Sequence, residues 1–92
     1  MMKIYNVSLA NECCIFDHRD GFETAREAVE FACGRGGKYK VYIDAGKCGY
    51  GYEINATHMH NGAFAVSYGW DYELVKYFSA DDFVKYVEEF LK

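Results

Sequence analysis

The sequence predicts an α+β fold in which a mostly antiparallel sheet of about five strands is covered on one face by two helices. Three observations predict it: short segments of alternating apolar residues, turns rich in glycine and asparagine, and two segments with a capping signal and helical spacing. The predicted order is strand, strand, helix, three strands, helix. A length of 92 residues fits one domain, residues 1–92, around one core.

The first two strands are predicted as a hairpin. Apolar residues alternate between Lys3 and Leu9, and the short apolar run from Cys13 to Phe16 is the expected partner strand. The polar segment from Asp17 to Gly21 is predicted as a turn, because Asp and Gly favour turn conformations.

The first helix is predicted to begin after Thr24. Thr24 and Glu27 have the spacing of a capping box, and Gly34 supplies the expected end of the helix. Small apolar residues recur at helical spacing, so one stripe of the helix is expected to pack on the sheet: Ala25, Ala28, Val29 and Ala32.

Three further strands are predicted in the middle of the chain. The segment from Tyr39 to Asp44 alternates most clearly, a turn over 45–49 follows, and Tyr50, Tyr52 and Ile54 alternate in the next strand. Asn61-Gly62 is typical of a two-residue hairpin turn and therefore separates that strand from the last one.

A two-residue turn at Asn61-Gly62 fixes which residues face each other. It places His58 opposite Ala65, so that His58 and His60 lie together on the open face of the sheet. Ile54 then shares the outward direction of the histidines, and we expect a bulge between residues 55 and 57 to correct this. The open face is expected to be rich in Tyr, His and Lys.

The second helix is predicted at the C-terminal end. Ser79 and Asp82 form a second capping box. The apolar residues that follow at helical spacing are Phe83, Val87, Phe90 and Leu91.

Composition and charge exclude several classes of function. The net charge of −4 disfavours general binding to DNA or anionic membranes. No apolar stretch approaches the roughly 20 residues that span a bilayer, and no secretion signal is visible. We therefore expect a cytoplasmic location and four free cysteines.

No motif predicts an enzyme or a bound cofactor. His58 and His60 supply two imidazoles, but a metal site needs further ligands, for which Cys48 and Asp71 are the candidates. Cys13 or Cys14 near His18 is a weak candidate for a nucleophile, because strand cysteines are usually buried as small apolar residues. We expect neither catalysis nor metal binding from these groups.

Tyrosine gives the most specific indication of function. Nine tyrosines exceed the needs of one small core, and tyrosine is favoured in protein interfaces. The predicted partner-binding residues are Tyr50, Tyr52, Tyr68, Trp70, Asp71, Tyr72 and Glu73.

The distribution of charge suggests an alternative. Both ends of the chain are acidic, whereas basic residues and tyrosines are interleaved in the middle strands, as in modules that bind single-stranded nucleic acid. The residues of this alternative site are Arg35, Lys38, Lys40 and Lys47.

In its length, its acidic ends, its segment from Tyr68 to Tyr72 and the absence of a catalytic motif, the chain resembles in general type the small phage-borne inhibitors such as anti-CRISPR proteins. The resemblance carries over no functional residue. It implies a small non-catalytic inhibitor or adaptor that binds a protein partner, such as a nucleic-acid-handling complex. A single-stranded nucleic-acid-binding module and a histidine-based metal-binding protein are the alternatives.

Overall fold

The computed structural model describes residues 4–45 and 53–91, which form a sheet and two helices. The strands are β1 (Tyr5–Ala10), β2 (Ile15–Phe22), β3 (Tyr39–Asp44), β4 (Glu53–His58), β5 (Phe64–Tyr68) and β6 (Leu74–Phe78). The helices are α1 (Ala25–Ala32) and α2 (Ala80–Phe90). All neighbouring strands are antiparallel, in the spatial order β2-β1-β3-β4-β5-β6.

The α+β class, the antiparallel sheet and the two helices are confirmed. The expected number of five strands is wrong, because β6 adds a sixth between β5 and α2. The run from Leu74 to Phe78 does not alternate apolar and polar residues, because its side chains are exposed over most of its length. The predicted turn over 45–49 and the strand residues Tyr50 and Tyr52 lie largely outside the described residues.

One face of the sheet is buried beneath both helices. Alternate residues of the strands point to this face, where they join the buried stripes of α1 and α2 in one core. On the sheet these residues are Tyr5, Val7, Leu9, Tyr39, Val41, Ile43, Ile54, Ala56, Phe64 and Val66; on the helices and just after α2 they are Ala25, Ala28, Val29, Ala32, Phe83, Val84, Val87 and Leu91. Phe90, predicted for the buried stripe of α2, is instead 44% exposed.

Both helices begin at the predicted capping residues. The Thr24 hydroxyl accepts a hydrogen bond from the Glu27 N–H at 3.1 Å and donates one to the Glu27 carboxylate. The Ser79 hydroxyl accepts from the Asp82 N–H at 3.2 Å. Residue 33, one position before the predicted Gly34, caps the C-terminus of α1.

The side chain of Tyr39 ties β3 to the end of α1. Its hydroxyl donates to the carbonyl oxygens of Ala32 and Arg35, the latter at 3.0 Å. Burial raises the pKa of Tyr39, because the ionised phenolate is disfavoured away from water. The hydroxyl therefore bonds to the last carbonyl of α1, at Ala32, and to the Arg35 carbonyl in the loop after the helix.

The segment from Asp17 to Gly21, predicted as a turn, lies inside β2. β2 pairs with β1 with two register shifts, one of them between Tyr5 and Val7 opposite the end of this segment. Gly21 has a φ of +92°, which a glycine adopts without strain. The residues from Asp17 to Gly21 therefore belong to an irregular edge strand, and the turn of the β1–β2 hairpin lies at residues 11–14.

The register predicted for the β4–β5 hairpin is wrong by one residue. His58 pairs with Phe64 and Thr57 with Ala65, because the turn contains His60 as well as Asn61 and Gly62. The Gly62 N–H closes this turn by donating to the Met59 carbonyl at 2.9 Å. His58 consequently points into the core with Ile54, and the regular pairing of β3 with β4 shows no bulge. The outward direction expected for Ile54 came from assuming a two-residue turn at Asn61-Gly62, where the turn in fact has three residues.

The β5–β6 hairpin is joined to the rest of the sheet by a short ladder. Only two residue pairs connect β4 to β5, whereas five connect β5 to β6. The Phe64 ring stacks on Phe83 of α2 with 4.2 Å between ring centroids. Packing on α2 therefore holds the base of the hairpin, while the part beyond Ala65 extends without a partner in β4.

Across residues 4–45 and 53–91, neither helix has the length and apolar character needed to traverse a lipid bilayer.

Candidate functional site

Large exposed side chains are concentrated on the β5–β6 hairpin. Trp70 is 91% exposed, Tyr72 74% and Tyr77 62%. Tyr68, Leu74 and Val75 on the same hairpin are each close to half exposed. Exposed aromatic and aliphatic side chains are typical of surfaces that contact another molecule.

The tip of this hairpin, residues 69–73, is held in shape by its own polar groups. The Tyr72 N–H donates to the Gly69 carbonyl at 3.3 Å, and the Asp71 N–H donates to Glu73 Oε2 at 2.8 Å. The Glu73 carboxylate also lies against Gly69, where an added Cβ would come within 3.3 Å of Glu73 Oε1. Glu73 therefore shapes the loop, while Trp70 projects away from it.

Tyr72 has an unfavourable backbone conformation. Its φ of +56° lies in the left-handed region, and among the described residues it is the one non-glycine residue with positive φ. An aromatic residue there costs roughly 1–2 kcal/mol relative to a right-handed conformation. In the β4–β5 turn the corresponding hydrogen bond is donated by Gly62, whose φ is +90°. Strain of this kind at an exposed side chain favours a functional role for that side chain.

A groove lies behind the hairpin, between β6 and α2. Its volume is about 570 Å³. Val66, Phe78 and Tyr86 supply apolar lining, and Lys76, Asp82, Lys85 and Glu89 supply charged groups. Tyr68, which is about half exposed, lines the same groove, so the groove reaches the base of the hairpin tip.

The predicted partner-binding residues fall into two groups. Tyr68, Trp70, Asp71, Tyr72 and Glu73 come together on one hairpin. Tyr50 and Tyr52 lie outside the described residues. Sequence reasoning missed the contribution of β6, whose residues Leu74, Val75 and Tyr77 add further exposed side chains to the same hairpin. The apolar run directly after the tip was the available signal.

The basic residues of the alternative site do not form one patch. Arg35 bonds to Asp17 and its guanidinium lies 5.9 Å from the centroid of the Phe16 ring, on the helix side of the sheet. Lys40 lies on the opposite face, since its neighbours Tyr39 and Val41 point into the core. Lys38 is exposed in the loop before β3, and Lys47 lies outside the described residues.

The two histidines of the metal hypothesis are separated. His58 is 5% exposed, its ring stacks on Tyr39 at 4.6 Å, and its Nδ1–H donates to the Gly37 carbonyl at 2.8 Å. His60 lies exposed in the β4–β5 turn. Within the described parts of the chain, no group of three or more His, Cys, Asp or Glu side chains is placed to share a metal ion.

The candidate nucleophiles Cys13 and Cys14 are not the buried strand cysteines that the sequence predicted. Cys13 and Cys14 are exposed in the β1–β2 turn, where both backbone N–H groups donate to the Asn11 side chain. His18 lies 2.7 Å from Ser8 Oγ and 2.8 Å from an Asp20 carboxylate oxygen, and so pairs with those two groups.

The third described cysteine, Cys33, is partly buried at the end of α1. Burial, with the charge of Glu30 as a second cause, raises the pKa of the Cys33 thiol.

Comparison with protein-family models, with curated proteins and with solved structures finds no match to this chain.

Proposed function

We propose that this protein is a small non-catalytic inhibitor or adaptor that grips a partner protein with the tip of its β5–β6 hairpin. The observation that carries this proposal is the 91% exposure of Trp70 on a loop that is held in a defined shape. Exposing an indole to water has a free-energy cost that a partner surface relieves on binding.

The chemistry of the tip matches that of a binding hot spot. Trp and Tyr are the side chains most enriched where protein interfaces concentrate their binding energy. Trp70 and Tyr72 are presented by a loop whose backbone is already ordered by Glu73. Pre-ordering lowers the entropic cost of association, because fewer conformations are lost on binding.

The charge around the hairpin supports a partner with a basic surface. Asp71 and Glu73 lie in the tip, and α2 adds Asp81, Asp82, Glu88 and Glu89. Proteins that handle nucleic acids carry such basic surfaces, and acidic groups steer association with them. We propose on this ground that the partner is a nucleic-acid-handling complex in the cytoplasm, blocked in the manner of the phage-borne anti-defence inhibitors that the sequence resembles.

Affinity capture with a matched pair of variants tests this proposal. The wild-type protein, Trp70→Ala and the control Ile15→Ala are each immobilised and exposed to lysate of the source cell or of that cell's phage host, with and without nuclease treatment, and captured material is identified by mass spectrometry. Ile15 is a suitable control because it is 58% exposed on the opposite edge of the sheet. We expect one stoichiometric protein that wild type and Ile15→Ala retain and Trp70→Ala loses.

Two results would contradict the proposal. A partner that Trp70→Ala still retains at the wild-type level would place the interface elsewhere on the molecule. Material that disappears on nuclease treatment would instead favour the alternative function, direct binding of single-stranded nucleic acid, whose steep salt dependence would confirm it.

A further inference from the structure

The two edges of the sheet differ in how well they are protected against pairing with another strand. β2, at one edge, is interrupted by two register shifts and carries four consecutive charged or ionisable residues, Asp17 to Asp20. β6, at the other edge, pairs with β5 without a shift over five residues. Bulges and charges are the usual means by which proteins block strand addition, so β2 is protected and β6 is open.

The charged residue of β6 does not protect its edge. The Lys76 ammonium lies over the ring of Phe78 from the same strand, 5.3 Å from the ring centroid. A lysine that extends past an edge deters another strand, whereas this one is held against its own strand. Leu74, Val75 and Tyr77 complete an edge that is otherwise apolar and about half exposed or more.

The hydrogen-bonding pattern shows which backbone groups of β6 are available. The Met59 N–H donates to the Ala63 carbonyl, so by alternation the backbone groups of Ala65 point toward β4. Those of Phe64, Val66 and Tyr68 then point toward Phe78, Lys76 and Leu74. The N–H and C=O groups of Val75 and Tyr77 consequently point outward from the sheet.

We propose that β6 accepts an extended, basic segment of the partner protein as a seventh strand, paired through the backbone of Val75 and Tyr77. This inference rests on the proposed function and specifies how the partner is held. Strand addition supplies affinity through main-chain hydrogen bonds. The neighbouring tip residues Trp70 and Tyr72 contact a part of the partner that lies outside the added strand.

Charge identifies the chemistry of the segment. Residues 71–91 contain six acidic and two basic residues, a net charge of −4. Strand addition brings the partner segment within a few residues of Asp71 and Glu73 at one end of β6 and of Asp82 at the other. The segment is therefore extended, carries lysine or arginine at its ends, and presents an apolar side chain to the groove lined by Phe78 and Tyr86.

A pair of synthetic peptides tests this proposal independently of the natural partner. One peptide alternates valine and threonine with a lysine at each end, and the other differs only in having glutamates at the ends. Each is titrated into the isotopically labelled protein, and backbone amide resonances are followed by NMR. We expect the lysine-ended peptide to shift the backbone amide resonances of Val75 and Tyr77. Its half-saturating concentration is expected to be at least about fivefold lower than that of the glutamate-ended peptide.

Two substitutions at Val75 form a matched pair. Val75→Pro removes the outward N–H and is compatible with an edge strand, whereas Val75→Thr keeps both the N–H and a branched side chain. We expect Val75→Pro to abolish the shift at Tyr77 and Val75→Thr to retain it. The Phe64 and Val66 amides report that both variants keep the hairpin. An unchanged shift at Tyr77 in Val75→Pro would overturn the proposal.

Further outcomes separate this proposal from the proposed function. Shifts confined to β2, equal affinity for the two peptides, or no shift at Val75 and Tyr77 would each overturn the basic seventh strand. Self-association of the free protein through the same amides would assign the edge to a second copy instead. In affinity capture, loss of the partner by Trp70→Ala but not by Val75→Pro would leave binding at the tip intact and refute strand addition.

Discussion

Replacing Tyr72 by glycine is expected to stabilise the protein. At a φ of +56°, the Cβ of Tyr72 costs roughly 1–2 kcal/mol, which glycine does not incur. Glycine loses more backbone entropy on folding, roughly 0.5–1 kcal/mol. The ring is 74% exposed and contributes little burial, so the midpoints of these two ranges leave a net gain of about 0.75 kcal/mol.

Urea unfolding followed by circular dichroism measures this difference as a shift of the midpoint at constant slope. In a domain of this size, the same gain raises the Tm by about 2–8 °C. The matched control is Gly62→Ala, because Gly62 has a φ of +90° and its added Cβ would meet no atom within 4 Å. The control is expected to lose about 1 kcal/mol through backbone strain alone.

A Tyr72→Gly variant that is less stable than wild type by about 0.5 kcal/mol or more would refute this reasoning. It would show that contacts of the Tyr72 ring outweigh the strain of its backbone. A contact between the Tyr72 ring and the partner explains why a strained residue stands at this position. Tyr72→Gly is therefore also expected to weaken partner capture while it increases the stability of the fold.

Three further predictions concern the fold itself. Phe83→Ala removes the fully buried ring on which Phe64 stacks, and is expected to cost about 3–5 kcal/mol in urea unfolding. Ser79→Ala removes the N-cap of α2 and is expected to cost about 1 kcal/mol, with less helix content if the end frays. Burial raises the pKa of Tyr5, Tyr39 and Tyr86, so above about pH 10 the unfolded state binds fewer protons than the folded state, and stability measured in urea is expected to fall as pH rises. A flat profile from pH 9 to 11.5 would contradict the third prediction.

Local signals in the sequence predicted the elements whose structure depends on local interactions. The capping pairs at Thr24 and Ser79 marked the starts of both helices, because a cap is formed by residues three positions apart. The alternation from Tyr39 to Asp44 predicted β3 with the correct buried face. These features need no knowledge of distant parts of the chain.

Features that depend on turn length or on distant contacts could not be read locally. The Asn61-Gly62 dipeptide correctly indicated a turn, but this turn also includes His60. The additional turn residue shifts the strand register by one position, so His58 points to the opposite face from the one predicted. β6 was missed because its side chains are exposed over most of its length, so its sequence shows no alternation of apolar and polar residues. The positive φ of Tyr72 has no signal in the residue type, because it depends on how the β5–β6 hairpin closes.

The tyrosine-rich segment predicted most of the described candidate site. Tyr68, Trp70 and Tyr72 are separated by one residue each, and the sequence placed them in the correct half of the chain. The sequence did not show that a hairpin joins them to the exposed edge of β6. That juxtaposition depends on the pairing of Tyr68 with Leu74, which only the fold shows.

The central claim is that the hairpin tip binds a partner protein, and the most direct test is the Kd of the purified partner for wild type, Trp70→Ala and Ile15→Ala by calorimetry. A hot-spot tryptophan contributes about 2 kcal/mol or more, so Trp70→Ala is expected to raise the Kd about 30-fold or more. Ile15→Ala is expected to stay within about twofold of wild type. Equal dissociation constants for Trp70→Ala and wild type would contradict the claim.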